Sequence, residues 1–258
     1  DLAELISQMR IVEEPKLSER VVIAFAAHIA GILVLLWADM VSISSGLILD
    51  FRAAPPQAGI YFVIAAGLRL GVLPLHLPYT SETSVRRGFG TALRMISAGS
   101  SLILLARIPA TSLASPFTPY LIVFIAFAAM YGAWMWLRAP DELTGRPFWL
   151  IGMGSLALAS ALRANPIGAT AWSCALILAG SALFLTSAQN KWLERALFIC
   201  VWAISALPLS LTATGWVSEG LRFWYVVPFL VASHAMLIAG FVRHIQRSST
   251  RTTFDTQP

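Results

Sequence analysis

The chain has 258 residues, of which 57% are hydrophobic and 12% are charged, and its mean hydropathy is +0.73. A soluble globular domain carries about 25% charged residues, so this composition excludes the soluble class and predicts an integral membrane protein in a lipid bilayer. The net charge of +5 is accounted for by the positions of the basic residues along a membrane topology, so no nucleic-acid partner is inferred.

Apolar runs of about twenty residues recur along nearly the whole chain, and each can cross a hydrocarbon core of about 30 Å as a helix. Runs such as "IAGILVLLW" lack the strict alternation of barrel strands. We therefore predict an all-α bundle of about eight transmembrane helices. The predicted spans lie near Val21–Val41, Gly59–Tyr79, Gly90–Ile108, Tyr120–Leu137, Phe148–Leu162, Ala169–Ala188, Ala196–Trp216 and Phe223–Val242.

The flanking segments are more polar than the spans. Residues 1–20 carry mixed charge and predict a cytoplasmic amphipathic segment, and residues 244–258 predict a polar cytoplasmic tail. The transmembrane domain between them covers residues 21–243. The stretch 138–148, "RAPDELTGRPF", is the most polar internal loop of this reading.

The basic residues divide unequally between the two faces that eight spans define. Twelve lie on one face, four lie on the other, and Arg69 and Arg94 lie inside spans. Such a bias is the positive-inside pattern, and it places both termini in the cytoplasm. An odd number of spans would destroy the separation.

Two spans contain a proline in the same local sequence. "VLPLHL" at 72–77 recurs as "ALPLSL" at 206–211. Proline removes a backbone donor, so Pro74 and Pro208 predict breaks or kinks in these helices. Irregular backbone at membrane depth is tolerated where protein buries it or where it lines a polar cavity, and paired broken helices are typical of transporters.

Arg69 and His76 flank the first of these breaks. An arginine near mid-membrane is costly and usually faces the bundle interior or a water pathway, so Arg69 is a candidate for an ion path. The alternative is a structural arginine that binds carbonyls freed by Pro74. His76 titrates near neutrality and is a candidate proton relay, or else a buried side chain with satisfied hydrogen bonds. His28 and His234 fit helix packing better.

Four further charged residues are candidates for a path or a structural role. Arg94 lies in the third span and can either face the bundle or extend its head toward the cytoplasmic face. Glu82 and Glu219 are the acidic residues nearest the breaks, and burial would let Glu219 bind a proton. Asp39 ends the first span, either as a boundary residue or as a partner of Arg69.

The chemistry of cofactors and metals is not indicated. The sequence contains no phosphate-binding loop, no His/Cys metal spacing and no Ser-His-Asp arrangement. Cys174 and Cys200 both fall within apolar spans, where cysteine behaves as a small hydrophobic residue. No metal, cofactor or catalytic site is therefore predicted in this chain.

Three stretches resemble one family. "GLRLGVLPLHLPYTSETSVRRGFGTALRMISAGSSLILLAR" resembles the seventh and eighth helices of the antiporter-like subunits of respiratory complex I, an NADH-quinone oxidoreductase, which are related to Mrp-type Na⁺/H⁺ antiporters. Arg69 stands five residues before Pro74, at the spacing of the family's intramembrane lysine. "DELTGRPFWLIGMGSLALAS" is similar to a later loop and helix, and "AISALPLSLTATGWVSEG" to the broken twelfth helix, with Glu219 at or next to its terminal lysine position.

The resemblance implies an inverted-repeat bundle with a hydrated path, containing the remainder of a first repeat at 21–108 and a second repeat at 117–243. It implies other membrane-arm subunits as partners, a bacterial inner membrane as location, and family helices that would precede Asp1. The sequence departs from the family at Thr91 and Leu93, where a lysine or histidine is usual, and it has no lysine over Ala171–Thr186.

Three functions follow from these patterns. The first is a proton- or cation-translocating subunit whose polar axis contains Arg69, His76 and Glu219. The second is a scaffold of the membrane arm that does not conduct ions. The third is a stand-alone secondary transporter or membrane-embedded enzyme that uses the broken helices as a substrate site.

Overall fold

The computed structural model describes residues 6, 15–46, 48, 55, 57–78, 87–106, 108, 115–186, 191–217 and 223–248. Within these ranges the chain forms eight α-helices, two short 3₁₀ helices and no strand. The α-helices are α1 (Pro15–Ser44), α2 (Gly59–Arg69), α3 (Arg87–Ala106), α4 (Thr118–Arg138), α5 (Glu142–Leu162), α6 (Pro166–Leu185), α7 (Lys191–Ala203) and α8 (Val227–Ser248). The 3₁₀ helices are Ala213–Trp216 and Trp224–Val226.

Five helices of the described chain are long and apolar enough to cross a membrane. These segments are Val21–Ser44, Gly88–Ala106, Thr118–Arg138, Pro166–Leu185 and Trp224–Gln246. Their outer faces expose large apolar side chains, such as Leu33 and Met40 of α1 and Phe124 and Phe127 of α4. The prediction of an all-α integral membrane protein is confirmed.

Helix α5 is the centre of the bundle. Every residue from Gly145 to Leu162 is buried, and α5 packs against α2, α3, α4, α6 and α8. Glycine, alanine and serine make up much of this helix, and small side chains let neighbouring helices approach closely in lipid. The other helices are thereby arranged around a helix that has no lipid-facing side.

The start of α5 corrects the sequence reading of a polar loop at 138–148. The helix begins at Glu142 because Asp141 caps it: the Asp141 carboxylate accepts hydrogen bonds from the Thr144 amide at 2.8 Å and from the Thr144 hydroxyl at 2.9 Å. Arg146 is consequently inside the helix and 1% exposed. Its guanidinium lies over the Phe184 ring, 5.5 Å from the centroid, so this charge is stabilised by an aromatic face.

Glycines set the contact of α5 with α4 and α8. A Cβ added to Gly132 would lie 2.7 Å from the Gly152 amide nitrogen, and one added to Gly152 would lie 2.8 Å from a Leu237 methyl. Beside this contact the Trp136 indole donates to the Leu237 carbonyl at 3.1 Å. The three helices therefore meet with their backbones close together.

Both predicted broken spans are interrupted. Helix α2 ends at Arg69 and α7 ends at Ala203, each five residues before the proline of its Leu-Pro-Leu motif. Their 11 and 13 residues cover about 16 and 20 Å, well short of a hydrocarbon core of about 30 Å. Gly71, with φ of 75°, terminates α2 in the left-handed conformation that is common just after a helix.

The prolines lie at the surface of the chain and not inside the bundle. Pro74 and Pro208 are both exposed, and Leu209 is 96% exposed. The residues preceding them turn inward instead, since Leu70 and Ile204 are 1% exposed. The polar groups of interest therefore lie at the helix ends that precede the prolines.

Candidate functional site

Arg69 joins three helices at the end of α2. Its side-chain methylenes pack over Gly31 of α1, where an added Cβ would lie 2.8 Å from the Arg69 Cγ. Its Nε donates to the Ser101 hydroxyl at 3.0 Å, and its Nη2 donates to the Ser100 hydroxyl at 3.0 Å, both on α3. The absence of a side chain at Gly31 makes room for this arrangement.

The two serines are oriented by their own helix. The Ser100 and Ser101 hydroxyls donate to the Ser97 carbonyl at 2.7 and 3.2 Å, which leaves their lone pairs to accept from Arg69. Arg69 is thus bonded to hydroxyls of α3, a contact that neither alternative from the sequence, an ion path or carbonyls freed by Pro74, had named. Ser100 is exposed at the chain surface, whereas Ser101 is fully buried.

His28 belongs to the same junction. It lies on α1, one turn before Gly31, is 6% exposed and hydrogen-bonds to the backbone of Arg69. The last carbonyls of a helix have no partner within the helix, so such a bond suits the end of α2. The sequence reading of His28 as a packing residue missed this contact, because it depends on the register between α1 and α2.

A small cavity of about 10 Å³ lies beside Arg69. This is near the lower limit for one water molecule. Its polar lining comes from four side chains, and the remainder is Leu70, Pro78, Ala98 and Leu150. The four polar residues are His28, Arg69, Arg94 and Ser97.

Arg94 faces this cavity from α3. It is 4% exposed, so its side chain is buried and does not extend from the surface of the described structure. Thr91, one turn earlier, is fully buried, and its hydroxyl has no hydrogen-bond partner among the described residues. Arg69 and Arg94 thus line one small, partly open cavity.

His76 supports the loop that follows α2. Its Nδ1 lies 2.8 Å from the Pro74 carbonyl oxygen, so the ring satisfies an acceptor of this irregular segment. Its Nε2 is buried without a partner in the described part of the chain. His76 is outside the cavity lining but within two residues of Pro78, which is part of it.

Of the acidic candidates, Asp39 is described and is not among the residues that line the cavity. Asp39 is half-buried and lies about 12 Å along α1 from Gly31, where Arg69 packs, so it is not placed to pair with Arg69. Glu82 and Glu219 lie outside the described residues. Among the described residues, no three His, Cys, Asp or Glu side chains lie close enough to hold a metal ion.

The second break is held by a network that the sequence reading missed. His234 of α8 lies with its Nε2 2.7 Å from the Ile204 carbonyl oxygen, one residue past α7. The Thr212 hydroxyl accepts from the Ala206 amide at 2.9 Å and donates to the Ala203 carbonyl at 3.2 Å.

The 3₁₀ turn after this break is also tied to α5 and α6. Asn165 donates to the carbonyls of Thr214 and Val217, and the Trp172 indole donates to Gly215 at 3.4 Å. The asparagine that ends "SLALASALRAN" and the nearby tryptophan are visible in the sequence as polar groups in apolar surroundings. Their hydrogen-bond partners could not be predicted, because these lie more than forty residues further along the chain. These bonds connect the second break to α6 and α8, while the buried Ser210 hydroxyl of the same segment has no partner among the described residues.

In comparisons with known proteins, no protein-family model matches the chain, and no curated protein matches it.

Proposed function

We propose that this chain is a proton-translocating, antiporter-like membrane subunit of a complex I-type assembly in a bacterial inner membrane, with other membrane-arm subunits as its partners. The observation that supports this most is the Arg69 guanidinium held between three helices at a broken helix, beside a cavity of about the size of one water molecule.

Energetics favour a functional reason for this arrangement. An arginine near the bilayer centre costs about 2.5–3.5 kcal/mol on insertion scales, and such residues mark ion and proton pathways. Arg69 holds its proton too firmly to relay it, so it sets the local potential. His28 in the cavity and His76 beside it are the groups that can exchange protons.

Buried polar atoms near this cavity support the same function. The buried Thr91 hydroxyl and the His76 Nε2 have no partners among the described residues. Buried polar atoms of this kind are usually satisfied by ordered water. Water at these atoms and in the cavity would connect the imidazoles of His28 and His76.

The face of α3 that carries Ser100 is exposed, and this favours a partner chain that covers it. A guanidinium bound to an exposed serine at membrane depth is unfavourable in contact with hydrocarbon. A neighbouring subunit that covers this face of α3 would remove the contact. The exposed Leu-Pro-Leu loops need similar cover, because irregular backbone is not found in contact with lipid tails.

A scaffold that does not conduct is the second candidate function. It is favoured by the second break, whose backbone groups are bound by His234, Thr212 and Asn165. Side chains that bind the backbone in this way act as structural ties.

The deciding experiment replaces Arg69 in the tagged chain and isolates the assembly from native membranes. For Arg69→Gln we expect proton translocation per assembled complex to fall about tenfold or more, because the fixed positive charge beside His28 and His76 is removed. Arg138→Gln, at an exposed arginine over Trp134, is the matched control and should translocate normally.

Two results would contradict the proposal. Unchanged translocation per complex in both Arg69→Gln and His28→Asn would leave the scaffold function. Purification of the chain without any partner subunit would reject the assembly.

A further inference from the structure

A groove of about 110 Å³ lies between α4 and α8, the α4–α8 groove. Two of its residues are buried, since Ala126 is 5% and Val226 is 3% exposed, whereas the rings of Phe127 and Phe229 are 64% and 51% exposed. The groove is therefore closed toward the bundle and partly open at the outer surface of the described structure. Its lining residues are Val123, Ala126, Phe127, Tyr225, Val226 and Phe229.

The groove lies between the first halves of two membrane-spanning segments, Thr118–Arg138 and Trp224–Gln246. Both segments begin with an exposed aromatic side chain, Tyr120 at 68% and Trp224 at 67%. Tyrosine and tryptophan are enriched where a membrane meets water. The groove ends about 14 Å into the first segment and about 8 Å into the second. It therefore lies within one leaflet of a hydrocarbon core of about 30 Å.

The lining does not suit water or an ion. Among the described lining residues, the Tyr225 hydroxyl is the only polar side-chain group, whereas a buried water needs about two to four polar partners. The backbone carbonyls of a helix interior are already bonded within the helix. Apolar cavities of about 150 Å³ bind benzene, so the smaller α4–α8 groove admits a few carbon atoms of a chain and excludes bulky ring systems.

Membrane lipid supplies a chain of this kind. In a bilayer, lipid tails reach the open side of the groove between the exposed rings of Phe127 and Phe229. An unfilled groove would leave the atoms of its walls without dispersion contacts on one side. A helix of a partner subunit, with a diameter of about 10 Å, is too wide to enter a groove of this volume.

We propose that the α4–α8 groove binds one acyl chain of a membrane phospholipid and retains that lipid when the surrounding lipid is removed. The site requires only that the chain spans a bilayer. It is independent of proton translocation and would be present equally in a scaffold that does not conduct ions. Ala126 is its main determinant, because a larger side chain at this buried position would occupy the space of the lipid chain.

The test uses phosphatidylglycerol that carries a diazirine in the upper half of one acyl chain. The purified membrane complex is reconstituted with this lipid, extracted with detergent to remove the surrounding lipid, and only then irradiated. Cross-links should map to the peptides that contain Phe127 and Phe229, with a single lipid per chain. Peptides with the exposed Leu33 and Met40 of α1 should carry about tenfold fewer, because a chain on an open helix surface buries less apolar area.

Two variants locate the site. Ala126→Phe fills the groove with a ring and should lower its cross-linking about tenfold or more, because the lipid chain loses the apolar burial. Ala26→Phe adds the same side chain at an exposed position of α1 and should cross-link as the unchanged chain does. If Ala126→Phe fails to assemble, density in the groove of the unchanged complex, determined by electron cryo-microscopy, decides the question.

Three results would overturn the proposal. The first is that no cross-link at the α4 and α8 peptides survives detergent extraction. The second is that Ala126→Phe and Ala26→Phe cross-link equally. The third is density in the groove that belongs to a side chain of a partner subunit. Failure of proton translocation changes none of these readouts.

Discussion

His234 illustrates how a single side chain can hold a broken helix. Its ring lies 4.8 Å from the Trp172 ring and 5.8 Å from the Trp216 ring, centroid to centroid. Its Nε2 bonds to the Ile204 carbonyl at 2.7 Å, just past the end of α7. The aromatic contacts orient the ring, and the hydrogen bond satisfies a carbonyl that the helix can no longer use.

We expect His234→Phe to destabilise the protein. Phenylalanine keeps an aromatic ring between the two tryptophans but leaves the Ile204 carbonyl buried without its donor, which costs about 1–3 kcal/mol. The free energy of unfolding in an SDS titration measures this loss. Ser233→Ala is the matched control, because within the described residues the Ser233 hydroxyl bonds to the Phe229 carbonyl of its own helix. Equal stability of the two variants would show that His234 does not hold the break.

Residue types were predictable from the sequence, whereas their partners were not. Arg69 and His76 were identified because a charge, an imidazole and a proline are unusual in an apolar span. The meeting of His28, Arg69 and Arg94 depends on the rotation of three helices about their axes, which no local pattern specifies. Whether Glu219 belongs to an ion path stays a prediction.

At the scale of elements, the prolines predicted both helix breaks but not their extent. Helices α2 and α7 end five residues before Pro74 and Pro208, where the preceding residues turn before the proline is reached. The start of α5 was misjudged because charged residues at Glu142 and Arg146 resemble a loop. A cap at Asp141 and an aromatic face at Phe184 allow those residues to be helical.

Helix contact at Gly132 gives a prediction about packing. A Cβ there would meet the Gly152 backbone at 2.7 Å, and backbone cannot move aside as a flexible side chain can. Gly132→Ala should therefore separate α4 from α5 and destabilise the bundle by about 1–3 kcal/mol, as overpacking does. Stability in an SDS titration measures the change.

Gly88→Ala is the control for this substitution. It lies in α3, and no atom of the described residues is within 4 Å of an added Cβ, so alanine there should be neutral or slightly stabilising, by less than about 1 kcal/mol. A Gly132→Ala variant as stable as Gly88→Ala would mean that α4 and α5 are not in backbone contact.

The whole molecule combines one buried helix with a shell of lipid-facing ones. Because α5 has no exposed face between Gly145 and Leu162, its apolar sequence reflects protein contacts, and hydropathy alone cannot separate it from a lipid-facing span. The overall class was predictable because composition and run length depend on the bilayer. The arrangement of the other helices around α5 could not be predicted from the sequence, because apolar surfaces that face lipid and apolar surfaces that face protein are made of similar residues.

The last prediction concerns membrane topology. It depends on whether the short helix α2 and the loop after it cross the membrane. The bias of basic residues requires that they do, since twelve of the eighteen lie on one face only if all eight segments cross. Ser45 then follows α1 on the non-cytoplasmic side, and Pro140, between α4 and α5, is cytoplasmic. Both residues are exposed.

Single cysteines at these two positions test it, in a background where Cys174 and Cys200 are replaced by serine. In intact spheroplasts a membrane-impermeant maleimide should label Ser45→Cys and not Pro140→Cys, and permeabilisation should make both reactive. If α2 and its loop instead entered and left by the same face, only α3 and α4 would cross between the two positions. Both cysteines would then react in intact spheroplasts, and the charge bias would need another cause.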